Sequence, residues 1–292
     1  MKEKELTFEY DRFDIERPFD FSSHSSMGCG GKASLAFYPK TEEEFVFLLT
    51  NLGTDCVVVG NLTNVLVSDL GTDKVVICTK KLRQIQVVNE RFVYAESGVL
   101  SNALLAWLRA SNLGGAEFLT GIPCTLGGAL YMNAGAGGRY ISELVQTVRI
   151  CRGGKVLTIP VEDCKYAYKH SSFMESGDVI LGATLRLQRS DIRAIAETER
   201  YYREKRRRLP KGRSLGCIFK NPPEGSAGEW IERAGLKGLR VGGAKVSELH
   251  ANFIINDANA TAREIRALIG LIKNAVFSYC GILLEEEIQY ID

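Results

Sequence analysis

Apolar residues along this chain recur at two periods, and the dominant period changes along its length. Phe45, Leu48, Leu49 and Leu52 stand three and four apart, and Thr41 with Glu44 precedes them as a capping box, so a helix is predicted there. Cys56–Val59, Val65–Val67 and Lys74–Cys78 are short β-branched runs separated by Gly60–Asn64 and Asp69–Asp73. They predict strands joined by tight loops. Phe92–Ala95 predicts a further strand, and Ser101 is placed to cap a helix through Leu104, Leu105 and Leu108. Thr147–Cys151 and Val156–Ile159 flank Arg152-Gly153-Gly154 as a hairpin, and Val179–Leu187 alternates as one more strand. From Asp191 the texture changes. Ile192, Ile195, Glu199 and Tyr202 trace a charged helix that ends in Arg203, Lys205 and Arg206–Arg208, and Leu209-Pro210-Lys211-Gly212 breaks it. Thr261 and Glu264 cap a last helix through Ile265, Leu268, Ile269, Ile272 and Val276, which Gly281 stops. Ile282–Ile291, with Glu285, Glu286 and Glu287, reads as a closing strand.

A chain of 292 residues suggests two domains. The change of texture puts the boundary at 190–212. Residues 1–190, as two α+β parts of about 20–80 and 81–190, would form one domain, and 191–292 the other. Composition is that of a globular protein, 45% hydrophobic and 25% charged. Thirty-seven basic against 35 acidic side chains leave +2, so no general attraction to nucleic acid or to a membrane is expected. Eight cysteines without a C-x-x-C pair, and three histidines, give no metal-ligand spacing. The thiols read as reduced and mostly buried. Met1–Asp20 has no apolar core of a signal peptide, and the uncharged run Phe118–Gly138 holds six glycines, Pro123 and Asn133. That run reads as turns rather than a membrane helix, and a cytoplasmic protein is expected.

The common nucleotide and hydrolase signatures are missing. Gly31-Lys32 is followed by Ala33, no G-x-G-x-x-G follows a strand, and no G-x-S-x-G is present. Two glycine-rich loops remain. The first is Gly60-Asn61-Leu62-Thr63-Asn64 between two strand runs. The second is Gly121-Ile122-Pro123-Cys124-Thr125-Leu126-Gly127-Gly128, followed by Met132-Asn133-Ala134-Gly135-Ala136. Either could point backbone N–H groups at a diphosphate or lie against a flat ligand. Plain turn chemistry accounts for both equally well.

The second loop resembles the flavin-contacting stretch of the UDP-N-acetylenolpyruvoylglucosamine reductase family, and the likeness runs in order along residues 20–292. Gly28-Cys29-Gly30-Gly31-Lys32-Ala33 with Pro39-Lys40-Thr41 is similar to the family's entry segment, and Gly216-Cys217-Ile218-Phe219-Lys220-Asn221-Pro222 to its proton-donor motif. Ala234-Gly235-Leu236-Lys237-Gly238, Gly242-Gly243-Ala244 and His250-Ala251-Asn252-Phe253-Ile254 resemble its substrate-domain signature, and Leu284-Glu285-Glu286-Glu287-Ile288 its terminal strand. The resemblance implies an α+β fold: a vanillyl-alcohol-oxidase-like FAD-binding domain, then a smaller α+β substrate domain. It implies that NADPH reduces FAD, and that hydride then reaches the vinyl group of the UDP-N-acetylglucosamine enolpyruvyl ether while a side chain protonates C2.

Residue by residue, the resemblance implies flavin contact for Gly60, Asn61, Leu62, Thr63 and Asn64. It implies the same for Gly121, Ile122, Pro123, Thr125, Gly127, Gly128, Asn133 and Ala134. Cys217 takes the donor position usually held by serine, and a thiol is much the stronger acid; an inert cysteine is the other reading. Glu287, the acid preceding the aliphatic residue, takes the catalytic glutamate's place, against a merely solvated edge. Lys169 in Tyr168-Lys169-His170-Ser171 stands where the family has arginine to meet the substrate carboxylate, keeping the charge but losing the fork. Tyr168, Lys220 and Asn221 are substrate-binding candidates. Arg206–Arg208 reads either as a diphosphate contact or as a solvated helix end, and His250 as a structural hydrogen-bonder.

The chain departs from the family at Leu62 and Cys124, each in place of a glycine, and at Glu96 in Glu96-Ser97-Gly98, where small residues are usual. The stretch from Tyr168 to Asp191 lacks room for a tyrosine-bearing loop, so the chain resembles the shorter subgroup. Two other readings stay open. One is a non-catalytic paralogue that binds a UDP-sugar or a protein; the other is a flavoenzyme of the same superfamily with another substrate.

Overall fold

The computed structural model describes Tyr10 and residues 12–292. The chain divides into two compact units, each assembled from separated stretches. The first comprises the described residues up to Glu16, then Leu35–Asn61 and Lys74–Arg207. The second comprises Arg17–Ser34, Leu62–Asp73 and Arg208–Asp292.

The first unit holds two sheets. In the smaller, Asp14–Glu16, Ala36–Tyr38, Val75–Cys78 and Cys56–Val59 lie in that order, the last three mutually parallel. Helix Glu42–Leu52 buries Phe45, Leu48 and Leu52 against it, and the Thr41 hydroxyl accepts the Glu44 N–H at its start. The larger sheet is antiparallel: Lys155–Pro160, Val145–Arg152, Val179–Arg186, Phe92–Glu96 and Ile85–Val87. Its hairpin turns at Gly153-Gly154, with φ of +55° and +78°, the two-residue turn that matches strand twist. Val93, Ala95, Val148, Ile150, Ala183 and Leu185 face one core with helix Ser101–Ala110, and Tyr94, Glu96, Thr147 and Arg149 alternate onto the other face.

The second unit is built on helix Ala262–Cys280, whose Ile265, Leu268, Ile269, Ile272 and Val276 are buried against the strands Ala244–Val246 and Ile254–Asn256 and the helix Ala227–Arg233. The helix start is saturated with side-chain acceptors. Thr261 and Glu264 form a reciprocal capping box, and the two oxygens of Asp69 accept the Ala262 and Arg263 N–H groups at 2.7 and 2.9 Å. Gly281 ends it with φ +75°.

Three expectations need correction. Ser101 is not an N-cap: Leu100 holds that position, and the Ser101 hydroxyl donates to the Ile122 carbonyl instead. Only Gln289–Ile291 of the closing segment is a strand, paired in parallel with Val65–Val67, whereas Glu285–Glu287 is tied to another loop. The division also differs from 1–190 and 191–292. Helix Ile192–Arg207 belongs to the first unit, where Arg109 pairs with its buried Glu199 at 2.5 Å, and the second unit takes Arg17–Ser34 and Leu62–Asp73 from earlier in the chain. Parallel pairing to a distant segment decides that division, and texture along the chain does not reveal it.

Asp69→Ala leaves two amides of the long helix without their acceptor and removes a carboxylate from its positive end. A loss of about 1–2 kcal/mol is expected, read as a lower urea midpoint with an unchanged slope.

Candidate functional site

In the second unit, Gly216–Lys220 runs between two neighbours. On one side Cys217 bridges to Phe253, and Ile218 N–H donates to the Asn252 carbonyl at 2.9 Å. The Asn252 side chain completes that edge, its Oδ1 accepting the Phe219 N–H at 2.9 Å and its Nδ2 donating to the Phe219 carbonyl at 2.8 Å. On the other side Glu287 N–H donates to Ile218 O at 2.7 Å, Phe219 bridges to Glu286, and Lys220 N–H donates to Glu285 O at 2.8 Å. The structure therefore brings Cys217 and Glu287 onto adjacent segments, one register step apart, each half-buried. Lys220 reaches the Glu285 carboxylate at 3.5 Å, and the Asn221 side chain accepts the Ala227 N–H at 3.0 Å at the start of a helix.

The first loop follows strand Cys56–Val59: Gly60 and Asn61 close a stretch of the first unit, and Leu62, Thr63 and Asn64 open a stretch of the second. Leu62 is buried at 3% exposure with φ +51°, the left-handed backbone that favours glycine. Asn64 donates its side-chain amide to the Glu287 carbonyl at 3.1 Å and accepts the Gln289 N–H on its own carbonyl at 2.9 Å.

Within the first unit the end of the first loop meets the second. Asn61 Nδ2 donates to the Pro123 carbonyl at 2.8 Å, and a Cβ on Gly60 would come within 2.3 Å of the Thr125 hydroxyl. That hydroxyl accepts the Gly128 N–H at 3.3 Å. Leu126 and Gly127 donate to the carbonyls of Val99 and Ser97, both at 2.8 Å, so these amides serve the loop itself. Gly121, φ +76°, lies under the side chain of Arg206, where a Cβ would meet Cδ at 2.6 Å. Burial pushes the Cys124 thiol up to about 11, which keeps it protonated at neutral pH. Two buried hydroxyls bordering the loop, Ser97 Oγ and Thr120 Oγ1, have no hydrogen-bond partner among the described residues. Such orphans fit a bound group rich in carbonyl and ring-nitrogen acceptors, as a flavin is.

Asn133 and Ala134 follow in a tight arrangement. Asn133 is buried with φ +45°, donates its amide to the Ala167 carbonyl at 2.9 Å and accepts the Ser142 N–H at 3.3 Å. Ala134 N–H donates to the Ala129 carbonyl at 2.8 Å, and Ala134 O accepts the Ile141 N–H at 2.9 Å. Ala167 and His170 exchange both backbone bonds, which makes Tyr168-Lys169 a two-residue turn with Lys169 at φ +53°. Ser171 fixes its far side by donating to the Tyr131 carbonyl at 2.6 Å, and Tyr168 stands edge-on to Tyr140 at 6.4 Å.

The charge that Glu96 adds is spent locally. Its carboxylate accepts the Gln84 N–H at 2.7 Å, and it lines a polar cavity with Glu42 and Arg149, which form a two-bond ion pair at 2.6 Å. Burial raises the Glu96 carboxyl above the usual range, against the Gln84 hydrogen bond. His250 is a hydrogen-bonder, its Nδ1 accepting the Asn252 N–H at 3.3 Å, and burial lowers its pKa. Sequence reasoning missed Ser97, Thr120 and the joining role of Asn252. The only trace of Asn252 was its place in the His250–Ile254 signature.

Two variants follow from these contacts. In Asn133→Ala the left-handed backbone and two buried bonds are no longer supported, and about 2 kcal/mol or more of stability is expected to go, measured by urea unfolding. Burial raises the Glu96 carboxyl in the folded state, so its contribution is present below the unfolded value near pH 4.5 and is lost as pH rises through the raised folded value. Glu96→Gln is therefore expected to raise the urea midpoint at neutral pH, with the gain vanishing at about pH 4; an equal gain at both would contradict the assignment.

Residues 208–291 match the family model described as UDP-N-acetylenolpyruvoylglucosamine reductase, C-terminal domain, and residues 33–159 match that of an FAD binding domain. The chain is 37% identical over 273 residues to the UDP-N-acetylenolpyruvoylglucosamine reductase of Caldicellulosiruptor bescii, covering 90% of this chain and 86% of that one. With the protein of the same name from Geobacter metallireducens it shares 38% identity over 285 residues, 96% of this chain and 95% of the other. The crystal structure of UDP-N-acetylenolpyruvylglucosamine reductase from Thermus caldophilus is similar with a TM-score of 0.85 at 28% identity, over 96% of this chain and 100% of that one.

Proposed function

The chain belongs to the UDP-N-acetylenolpyruvoylglucosamine reductase family of FAD-dependent oxidoreductases, and from that we propose that it reduces the enolpyruvyl ether of UDP-N-acetylglucosamine to UDP-N-acetylmuramate with NADPH, a step in making peptidoglycan precursors. The observation that carries this reading is the joining of the Cys217 segment to Glu287 through the Ile218 carbonyl. Among the described residues no helix is long and apolar enough to cross a membrane, in keeping with a nucleotide-sugar substrate met in water.

FAD, when bound, supplies the hydride. The chain's own residues do the rest. Hydride addition at the terminal vinyl carbon builds negative charge on C2, the carboxylate-bearing carbon, so the site needs a cation at that carboxylate and a proton for C2. Lys169 supplies the cation from its turn, and Asn133 and Ser171 fix that turn from both ends. Cys217 holds the proton for C2. Glu287 stands on the neighbouring segment to polarise the substrate's carboxylate-bearing end. Tyr168, Lys220 and Asn221 meet the sugar or the diphosphate, Lys220 exchanging Glu285 for the ligand. On the flavin side, Gly60–Asn64 and Gly121–Ala134 provide close backbone approach, and Ser97 and Thr120 provide the donors that lack partners. Leu62 keeps the left-handed turn that a glycine adopts without strain, which supports flavin binding over a paralogue that has lost it.

The freshly purified protein is expected to show a flavin spectrum that bleaches with NADPH and returns with the enolpyruvyl substrate. In Cys217→Ala and Glu287→Gln, bleaching by NADPH is expected to stay within about twofold while the return slows by about 10²–10⁴, and Cys217→Ser is expected to restore most of it. A protein that takes up no flavin from excess FAD overturns the reading. Unchanged turnover in both variants overturns only the site assignment.

A further inference from the structure

Apart from the glycine loops, the first unit carries a cavity of about 500 Å³ whose lining includes Arg91, Arg139 and Arg186 against a single carboxylate, Glu143. The backbone sets their positions. Arg186 ends strand Val179–Arg186 directly opposite Phe92, and the next residue, Leu187, donates its N–H to the Arg91 carbonyl at 2.8 Å. Arg186 N–H donates to the Leu144 carbonyl at 2.6 Å, which ties this strand end to the segment holding Arg139 and Glu143. Arg139 is held in place, ion-paired to Glu143 and 5.7 Å from the Phe118 ring centroid. The side chains of Arg91 and Arg186 have no ion pair or hydrogen bond with any described residue.

Three exposed arginines border one cavity lined by a single carboxylate that is already paired, which leaves the cavity wall with net positive charge. A multiply charged anion offsets it. One fork saturates a carboxylate, but a phosphate group presents three oxygens and takes several forks at once. The cavity is within the size of small-molecule sites, and Phe92 and the Gln188 amide line it beyond the arginines. We propose that this cavity is a binding site for a small phosphate-bearing molecule, gripped by Arg91 and Arg186 with Arg139 held ready by Glu143. The site shares no residue with those assigned to flavin or substrate.

The test is isothermal titration of the FAD-loaded full chain, at low chloride, with inorganic phosphate, pyrophosphate and a nucleoside monophosphate. Saturable binding of one ligand per chain is expected for at least one probe. Arg91→Gln with Arg186→Gln should weaken it by about tenfold or more, and Arg193→Gln, an exposed arginine elsewhere, by no more than about twofold. Tighter binding of the monophosphate than of phosphate assigns the ligand as a phosphate ester; the reverse assigns free phosphate. The flavin spectrum and the ligand-free melting temperature establish that the double variant is folded, and Arg139→Gln alone gives a second, milder measure if it is not. No saturable heat with any probe, or equal affinity in the double variant and in Arg193→Gln, overturns the proposal.

Discussion

The segment that carries Cys217 hangs on one buried amide. Asn252, 2% exposed, supplies an acceptor for the Phe219 N–H and a donor for the Phe219 carbonyl, as a neighbouring strand would. Ile218 and Phe219 are each 1% exposed, so water has no access, and each unpaired backbone group there would cost about 1–3 kcal/mol. The opposite edge is held by the backbone of Glu285–Glu287. A four-residue stretch is thus fixed on both sides, with Cys217 at one end and Lys220 at the other. Glu287 belongs to the same frame, since its N–H is bound to Ile218 and its carbonyl to Asn64. A thiol and a carboxylate on such a frame keep their spacing because neither rests on a free loop.

The first unit solves a different problem. A helix N-terminus is the usual place for a phosphate, yet the helix Leu126–Tyr131 has its first N–H groups bound to Val99, Ser97 and Thr125. The two loops are brought together by shape instead. Gly60 lets the Thr125 hydroxyl approach, Asn61 ties the first loop to Pro123, and the Arg206 side chain crosses Gly121. The hydroxyls of Ser97 and Thr120, without a hydrogen-bond partner among the described residues, are the polar atoms left over beside them.

Legibility in the sequence followed the range of the interactions. Helices Glu42–Leu52 and Ala262–Cys280 and the hairpin at Gly153-Gly154 were readable because cap, periodicity and turn residues lie within a few positions of each other. Ser101 was misread because its acceptor, Ile122, sits on another loop. The closing strand was overextended because three glutamates gave no local sign of where pairing passes from Gly216–Lys220 to Val65–Val67. The two-unit division escaped for the same reason, since Val65–Val67 joins the terminal residues rather than its own neighbours. At the site, motif likeness singled out Cys217 and Glu287, but composition alone left each as an ordinary cysteine and an ordinary edge glutamate. No local pattern announces that Asn252 binds Phe219.

Three of the residues singled out by resemblance, Leu62, Asn133 and Lys169, adopt left-handed backbone, with φ of +51°, +45° and +53°. Asparagine tolerates that region, but for leucine and lysine it costs about 1 kcal/mol or more, so the surroundings must impose it. Around Lys169 they do so through the paired backbone bonds of Ala167 and His170 and the anchors Asn133 and Ser171. Around Leu62 they do so by burial of the side chain and by the Ser26 N–H, which donates to the Leu62 carbonyl at 3.2 Å. At Leu62 and Lys169 the neighbouring contacts thus hold a left-handed backbone under side chains that do not favour it. What the contacts fix at those positions is a turn geometry first and a side chain second.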